Sequence, residues 1–362
     1  MALLTGDPFP SFRAPGNSNP NSAFDSAAGR YLVLAVLSGA SDAEIEAATA
    51  LAARHRAKFD DDSRSFFGLL PDRPEWRGRL PDAMPGVRWL YDFGAVRDLA
   101  QVPDGPPQWI VIDPSMRVLA CAGPDRAEEL LAGLDHLPPP DRHAGVASHA
   151  PVLILPRIFE PGFCQVLIDH YDRVGGQESG FMREVDGVTK LMTDPNHKKR
   201  SDVLIEDQSL VTAARARIAR RLVPEIKKAF QYEATRIERY LVATYDAATG
   251  GYFRPHRDNT TKGTAHRRFA VSINLNHDFD GGDLRFPEYG ATTLRPPPGG
   301  AVVFSCSLLH EATPVTRGRR YAFLPFLYDE AAARVREENL KFLDPTGLRL
   351  GTPGQGAPVP AE

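Results

Sequence analysis

From His136 to Pro151 the chain reads HLPPPDRHAGVASHAP, a run with four prolines and no apolar periodicity. Proline fixes φ and removes a backbone donor, so such a run supports neither a helix nor a strand ladder. It separates two stretches of different patterning, and 362 residues suffice for two domains. The boundaries read as a domain over residues 1–136, a linker over 137–150, a second domain over 151–330, and a C-terminal helix with a flexible tail over 331–362.

The first stretch alternates strand and helix signals. YLVLAVL, Tyr31 to Leu37, is a continuous apolar run of buried-strand type. Ser41 to Arg56 reads as a helix, with Ser41 and Glu44 spaced as a capping box and Ile45, Ala48, Leu51 and Ala52 on one face. Further strands are expected at Phe66–Leu70, Trp109–Ile112 and Val118–Ala120, and a closing helix at Asp125–Leu134. Such alternation predicts an α/β domain built around one sheet.

The second stretch opens with a strand at Pro151–Ile158 and a helix at Pro161–Val174, and one long helix is expected over Leu210–Phe230. From Ile237 onward short strand signals dominate: IERYLVATY, RRFAVSINLN, GGDLRFPEY, GAVVFS and RRYAFLPFLY. Short strands between turn residues predict a sandwich or barrel. The segment DPNHKKRSD, residues 194–202, reads as an exposed loop, with a lid over a substrate as the alternative. A last helix is expected over Glu330–Leu343, ahead of a Gly- and Pro-rich tail.

Composition removes several function classes. A formal charge of −3 gives no general case for nucleic acid or an anionic membrane surface. No apolar run is long enough to span a bilayer, and the start, MALLTGDPFPSF, lacks the pattern of a signal peptide. Cys121, Cys164 and Cys306 are too dispersed for a disulfide framework or a CxxC metal site. A reduced, cytoplasmic protein is the expectation.

The chemistry concentrates in GGYFRPHRDN. His256 and Asp258 stand at i and i+2, which on a strand puts both side chains on one face. Two histidines and one carboxylate with open positions suit ferrous iron, whereas a structural zinc site favours cysteines. The third ligand must come from another strand, and His310, directly after the apolar strand GAVVFS, is the candidate. A bidentate 2-oxo acid and dioxygen would complete an octahedral ion. The far carboxylate of that acid needs a cation, and Arg320 lies ten residues after His310 on the next strand. Arg319 should point to the opposite face. His266 and His277 read as loop histidines, and Asn259 and Asn274 as ordinary hydrogen-bonding residues.

Two resemblances rest on these segments. GDPFPSF at residues 6–12, YLVLAVL, WLYDFGAVRDLA and PQWIVIDPSMRVLA resemble the thioredoxin-like fold, and peroxiredoxins in particular. SGASDAEIEAA stands where that family carries its nucleophilic cysteine, and it contains none, so the resemblance implies a redoxin scaffold without redox chemistry. HxD at His256 and Asp258, then His310, then Arg320, with GGDLRF and HEATPVTRGRRYAF around them, resembles the 2-oxoglutarate- and Fe(II)-dependent dioxygenases, prolyl 4-hydroxylase-like group. This implies a double-stranded β-helix, or jelly roll, over residues 151–330. It implies His256, Asp258 and His310 as iron ligands, Arg320 as anchor of 2-oxoglutarate, and Tyr245 as a residue lining the co-substrate pocket. It further implies hydroxylation of a C–H bond on a prolyl or other protein side chain, or on a small molecule, with release of succinate and CO2. Dioxygen and 2-oxoglutarate are the implied co-substrates, and ascorbate a reductant such an enzyme could use. The rival classes are a redox enzyme acting through the first domain and a binding or sensor protein without turnover.

Overall fold

The computed structural model describes residues 3–102 and 104–344, and the tail expected beyond lies outside them. The chain divides into two compact units: residues up to Ala150 together with Phe286–Thr292, and Pro151–Arg285 together with the residues from Thr293 onward.

The first unit is built on a five-stranded mixed sheet. Its order is Val87–Asp92, Arg64–Pro71, Tyr31–Val36, Gln108–Ile112 and Val118–Ala122, with the first three strands parallel and the last two antiparallel. Every residue of Tyr31–Val36 is buried, as expected of an apolar run with neighbours on both sides. The helix Asp42–Arg54 comes next. Ser41 caps it in a reciprocal capping box, its N–H donating to Glu44 Oε2 at 2.8 Å, and the helix buries Ile45, Ala48, Leu51 and Ala52 against the sheet. The strand Val87–Asp92 was not among the sequence expectations. Its alternation is masked because its residues are buried on both faces apart from Arg88, whose guanidinium pairs with Asp61.

The second unit carries two antiparallel sheets. The larger runs Arg236–Glu238, Phe326–Tyr328, Phe269–Asn274, Arg319–Phe323, Leu241–Asp246, Ser201–Leu204 and Gln177–Glu178, with Ala301–Ser305 and Leu153–Leu155 joined through Phe269–Asn274. The smaller runs Lys198–Lys199, Tyr252–His256, His310–Ala312, Leu284–Arg285 and Thr293–Leu294. One face of the larger sheet, bearing Val242, Val271, Ile273 and Phe323, buries Leu167, Ile218 and Ile226 of the helices. Each such fully buried side chain contributes about 1.5–3 kcal/mol. The opposite face carries Tyr245, which shares a buried cluster with Phe253 and Ala312 of the smaller sheet, so the two sheets face one another there.

Three expectations about elements are corrected. The helix over Leu210–Phe230 is two helices, Gln208–Arg221 and Val223–Phe230, because Pro224 has no N–H to continue the ladder. The segment 194–202 is not simply an exposed loop: Lys198–Lys199 and Ser201–Leu204 are strands, and Lys198 and Arg200 are buried. The C-terminal helix ends at Asn339 and passes into a 3-10 turn, Leu340–Phe342.

Candidate metal centre

His256 ends its strand and His310 begins its own, and the two stand directly opposite one another across the smaller sheet. Their ring centroids lie 4.3 Å apart. Asp258 is not on the strand, which stops at His256. It sits in the turn beyond, where its N–H donates to the Cys306 carbonyl at 2.9 Å. That bond, rather than strand alternation, brings the carboxylate back. Oδ1 lies 3.6 Å from His256 Nε2 and Oδ2 3.4 Å from His310 Nε2. One donor atom from each of the three residues falls within 4.8 Å of the others.

The backbone orients both rings. His256 Nδ1 lies 2.7 Å from the Arg254 carbonyl and His310 Nδ1 lies 3.0 Å from the Leu308 carbonyl. A carbonyl only accepts, so each Nδ1 carries the proton and each Nε2 presents a lone pair to Asp258's side. Burial, reinforced by the neighbouring His310, holds His256 well below the usual histidine range and hence neutral. Two neutral imidazoles and one carboxylate, aimed at one point, form a donor set of the kind that takes ferrous iron with positions left open.

On the inner face of the larger sheet Arg320 stands opposite Tyr245, with its guanidinium 5.4 Å from the ring centroid. Arg320 is buried, donating from Nε to Asn274 Oδ1 at 3.1 Å and from Nη2 to Ser272 Oγ at 2.8 Å. Among the described residues no carboxylate lies within ion-pair distance of it. Burial lowers its basicity, yet a guanidinium keeps its charge. Its hydrogen bonds to Asn274 and Ser272 go to neutral side chains, while the charge of Asp283 acts on it without a direct ion pair. Gly282 makes room for it: a Cβ there would lie 3.3 Å from Arg320 Cδ, at a φ of +67° that a side chain would disfavour. Arg319 points the other way, to Asp246 and the Tyr321 hydroxyl. Tyr245, Phe253, Phe279, Ala312 and Val315 supply apolar walls.

Residues 240–328, which hold the donor set and Arg320, match the family model described as the 2OG-Fe(II) oxygenase superfamily. This stretch is a 2OG-Fe(II) oxygenase domain. The family uses Fe(II) and 2-oxoglutarate, and the His256–Asp258–His310 cluster lies within the matched stretch. A PKHD-type hydroxylase of Cupriavidus metallidurans is 36% identical over 95 residues, covering 23% of this chain and 42% of that one. The PKHD-type hydroxylase PiuC of Pseudomonas aeruginosa is 33% identical over 103 residues, covering 26% and 44%. The chain thus spans less than half the length of the curated relatives it matches. Among solved structures, a Pseudomonas putida prolyl-4-hydroxylase aligns at a TM-score of 0.40 with 19% identity, over 52% of this chain and 96% of that one. A Chlorobium tepidum protein titled as a putative thiol:disulfide interchange protein DsbE aligns at 0.31 with 21% identity, over 37% and 99%.

The oxygenase domain leaves the other histidines in separate roles. His266 is buried and bonded to Glu238 at 2.7 Å, and His277 is exposed. Asn259 bonds the Ser307 hydroxyl at 2.8 Å. Asn274, by contrast, is a direct partner of Arg320, and Ser272 with it. Both are inner-face positions of a strand whose outer face is apolar, which is the signal that reveals them. His197 carries no ligand spacing, yet its ring lies 6.4 Å from that of His256. No helix among the described residues is long and apolar enough to cross a membrane.

Proposed function

We propose that the protein is an Fe(II)- and 2-oxoglutarate-dependent hydroxylase whose second unit is a double-stranded β-helix and whose first unit is a thioredoxin-like scaffold. The observation that carries this reading is the convergence of two imidazoles and one carboxylate beside a buried guanidinium with no acidic partner among the described residues. His256, Asp258 and His310 would hold the iron, through Nε2, a carboxylate oxygen and Nε2. Iron held there together with 2-oxoglutarate would supply the chemistry by which dioxygen hydroxylates a C–H bond while the 2-oxo acid is converted to succinate and CO2. Arg320 takes the distal carboxylate of the 2-oxo acid, its Nη1 hydrogens being free of protein partners among the described residues and its Nε and Nη2 already oriented by Asn274 and Ser272. Tyr245 covers the guanidinium and walls the co-substrate pocket. The apolar cluster around Phe253 and Phe279 keeps water from the reacting centre. Ascorbate would keep the iron ferrous between turnovers. A protein side chain, prolyl residues included, is the favoured substrate, and a small molecule the alternative.

The test is an anaerobic titration with Fe(II) and then 2-oxoglutarate, monitored by visible absorption. A metal-to-ligand charge-transfer band that is lost in His310→Ala supports the reading. No band, with metal analysis showing no bound iron, overturns it in favour of a scaffold or sensor.

A further inference from the structure

The strands Phe181–Val185 and Val188–Met192 form a hairpin through Asp186 and Gly187, both at positive φ, 53° and 75°. Alternation puts Phe181, Arg183 and Val185 on one face, opposite Met192, Lys190 and Val188. That face turns toward the metal centre. The Phe181 ring lies 4.6 Å from that of His197, which in turn lies 5.4 Å from Phe253 and 6.4 Å from His256. The Arg183 guanidinium carbon stands 5.4 Å from the Phe181 ring centroid, so it takes the same direction.

Arg183 and Lys190 are direct cross-strand partners. Like charges in that position repel, and an opposite charge is the stable choice. Both are half-buried, and among the described residues neither has a carboxylate within ion-pair distance. The hairpin's own acids are directed elsewhere. Glu184, on the other face, accepts the Lys262 N–H at 3.4 Å, and Asp186 is exposed at the turn. On the metal-bearing strand, Arg254 sets its Nε on the Asn196 carbonyl at 2.6 Å. Lys198 is buried, with Nζ donating to Ser179 Oγ at 2.7 Å and to the Gly180 carbonyl and lying 4.9 Å from the Phe253 centroid. Arg183, Arg254 and Lys198 all act electrostatically on His197, against Asp194. Arg183 and Arg254 therefore bring positive charge to His197 beside the donor cluster, burial pushes the Lys198 ammonium well below its usual range, and Arg183 faces a second cation, Lys190, across the hairpin.

We propose that this cationic rim receives a carboxylate carried by the oxidised substrate, so that the substrate is an acid rather than a neutral molecule. The proposal rests on the oxygenase reading of the same site. An anion between Arg183 and Lys190 converts their repulsion into two charge-assisted hydrogen bonds in a partly desolvated place, where such bonds are strongest.

The test uses the anaerobic Fe(II)–2-oxoglutarate protein at saturating 2-oxoglutarate, with matched probes that differ only in charge. One arm compares a blocked acidic peptide, N-acetyl-Glu-Pro-Glu-amide, with its glutamine counterpart. The other compares free L-glutamate with L-glutamine. Perturbation of the charge-transfer band reads binding, and succinate release on admitting dioxygen reads coupling. In at least one arm the acid should bind about tenfold or more tightly than the amide, and the arm that responds identifies a peptide or a small acid. R183Q/K190Q should erase the acid preference while the amide probes respond as before, and Arg183→Lys with Lys190→Arg should restore it. Equal response to acid and amide in both arms, no response included, overturns the proposal, as does an acid preference that survives R183Q/K190Q. Failure of the band to form before any probe is added is a separate result, which rejects the oxygenase reading itself.

Discussion

The two units differ in the groups placed at the ends of their buried strands. In the first, Tyr31–Val36 leads to a well-capped helix start at Ser41, where a redoxin would place its nucleophile, and the junction contains no thiol. Cys121, the exposed cysteine among the described residues, is pushed up by burial of its sulfur, the opposite of what an attacking thiolate requires. In the second unit, strand ends at His256 and His310 deliver a complete donor set within 4.8 Å, with a buried guanidinium on the facing sheet. Among the described residues the three-residue donor set is in the second unit. A fold supplies positions, and function depends on what occupies them.

The sharpest way to break this contrast is to remove a donor. Asp258→Ala should reduce iron-dependent turnover to background, with the far-ultraviolet dichroism unchanged, because the two histidines alone leave the ion without its anionic ligand. Turnover persisting in that variant would move the metal elsewhere. Next in size, Arg320→Gln should raise the KM for 2-oxoglutarate by about 10- to 100-fold, as expected for a lost hydrogen bond to a charged group, with a smaller change in kcat. An equal fall in kcat at unchanged KM would contradict the anchor role. In the first unit, Asp61 offers a stability test. Burial alone would raise its carboxyl, but the paired Arg88 guanidinium and the Ser65 hydroxyl bring it down to about 2. A depressed carboxylate stabilises the fold above its unfolded pKa, so about 2 kcal/mol should be present above pH ~4 and lost as pH falls toward 2. Hydrogen exchange in Arg64–Pro71 and Val87–Asp92 should speed up over that window, and Asp61→Asn should flatten the dependence. Smallest of all, Cys121→Ser should change neither 2-oxoglutarate turnover nor any peroxide consumption. Peroxide consumption that disappears with this thiol would give the first unit a chemistry of its own and end the contrast.

Much of this was legible in the residues. The capped helix after YLVLAVL and the grouping of His256, Asp258 and His310 come from local pattern and from the limited set of groups that can bind iron. Arg319 and Arg320 take opposite faces because strand side chains alternate. The hairpin Phe181–Met192 was readable in principle, since Asp186-Gly187 is a strong two-residue turn signal, but its strands mix charged and apolar residues on both faces. Asp258 shows the limit of local pattern: its i+2 spacing from His256 suggested a shared strand face, whereas a backbone hydrogen bond to Cys306 places it.

By itself the sequence determined the chemical inventory: which groups can bind metal, which cation lies at anchor spacing, and where a thiol is missing. The tertiary structure alone decided which charges are buried and what they meet. Lys198 and Arg200 fall in a segment read as an exposed loop, and are interior with Ser179, nineteen residues from Lys198, and Asp202, two from Arg200, accepting their hydrogen bonds at 2.6–2.7 Å. Arg183 and Lys190 lie seven residues apart in sequence, and only strand pairing turns them into opposed charges. Burial and cross-strand pairing are relations between segments, created when the chain closes on itself, and the cost of desolvating a charge is set by those relations rather than by its neighbours in sequence.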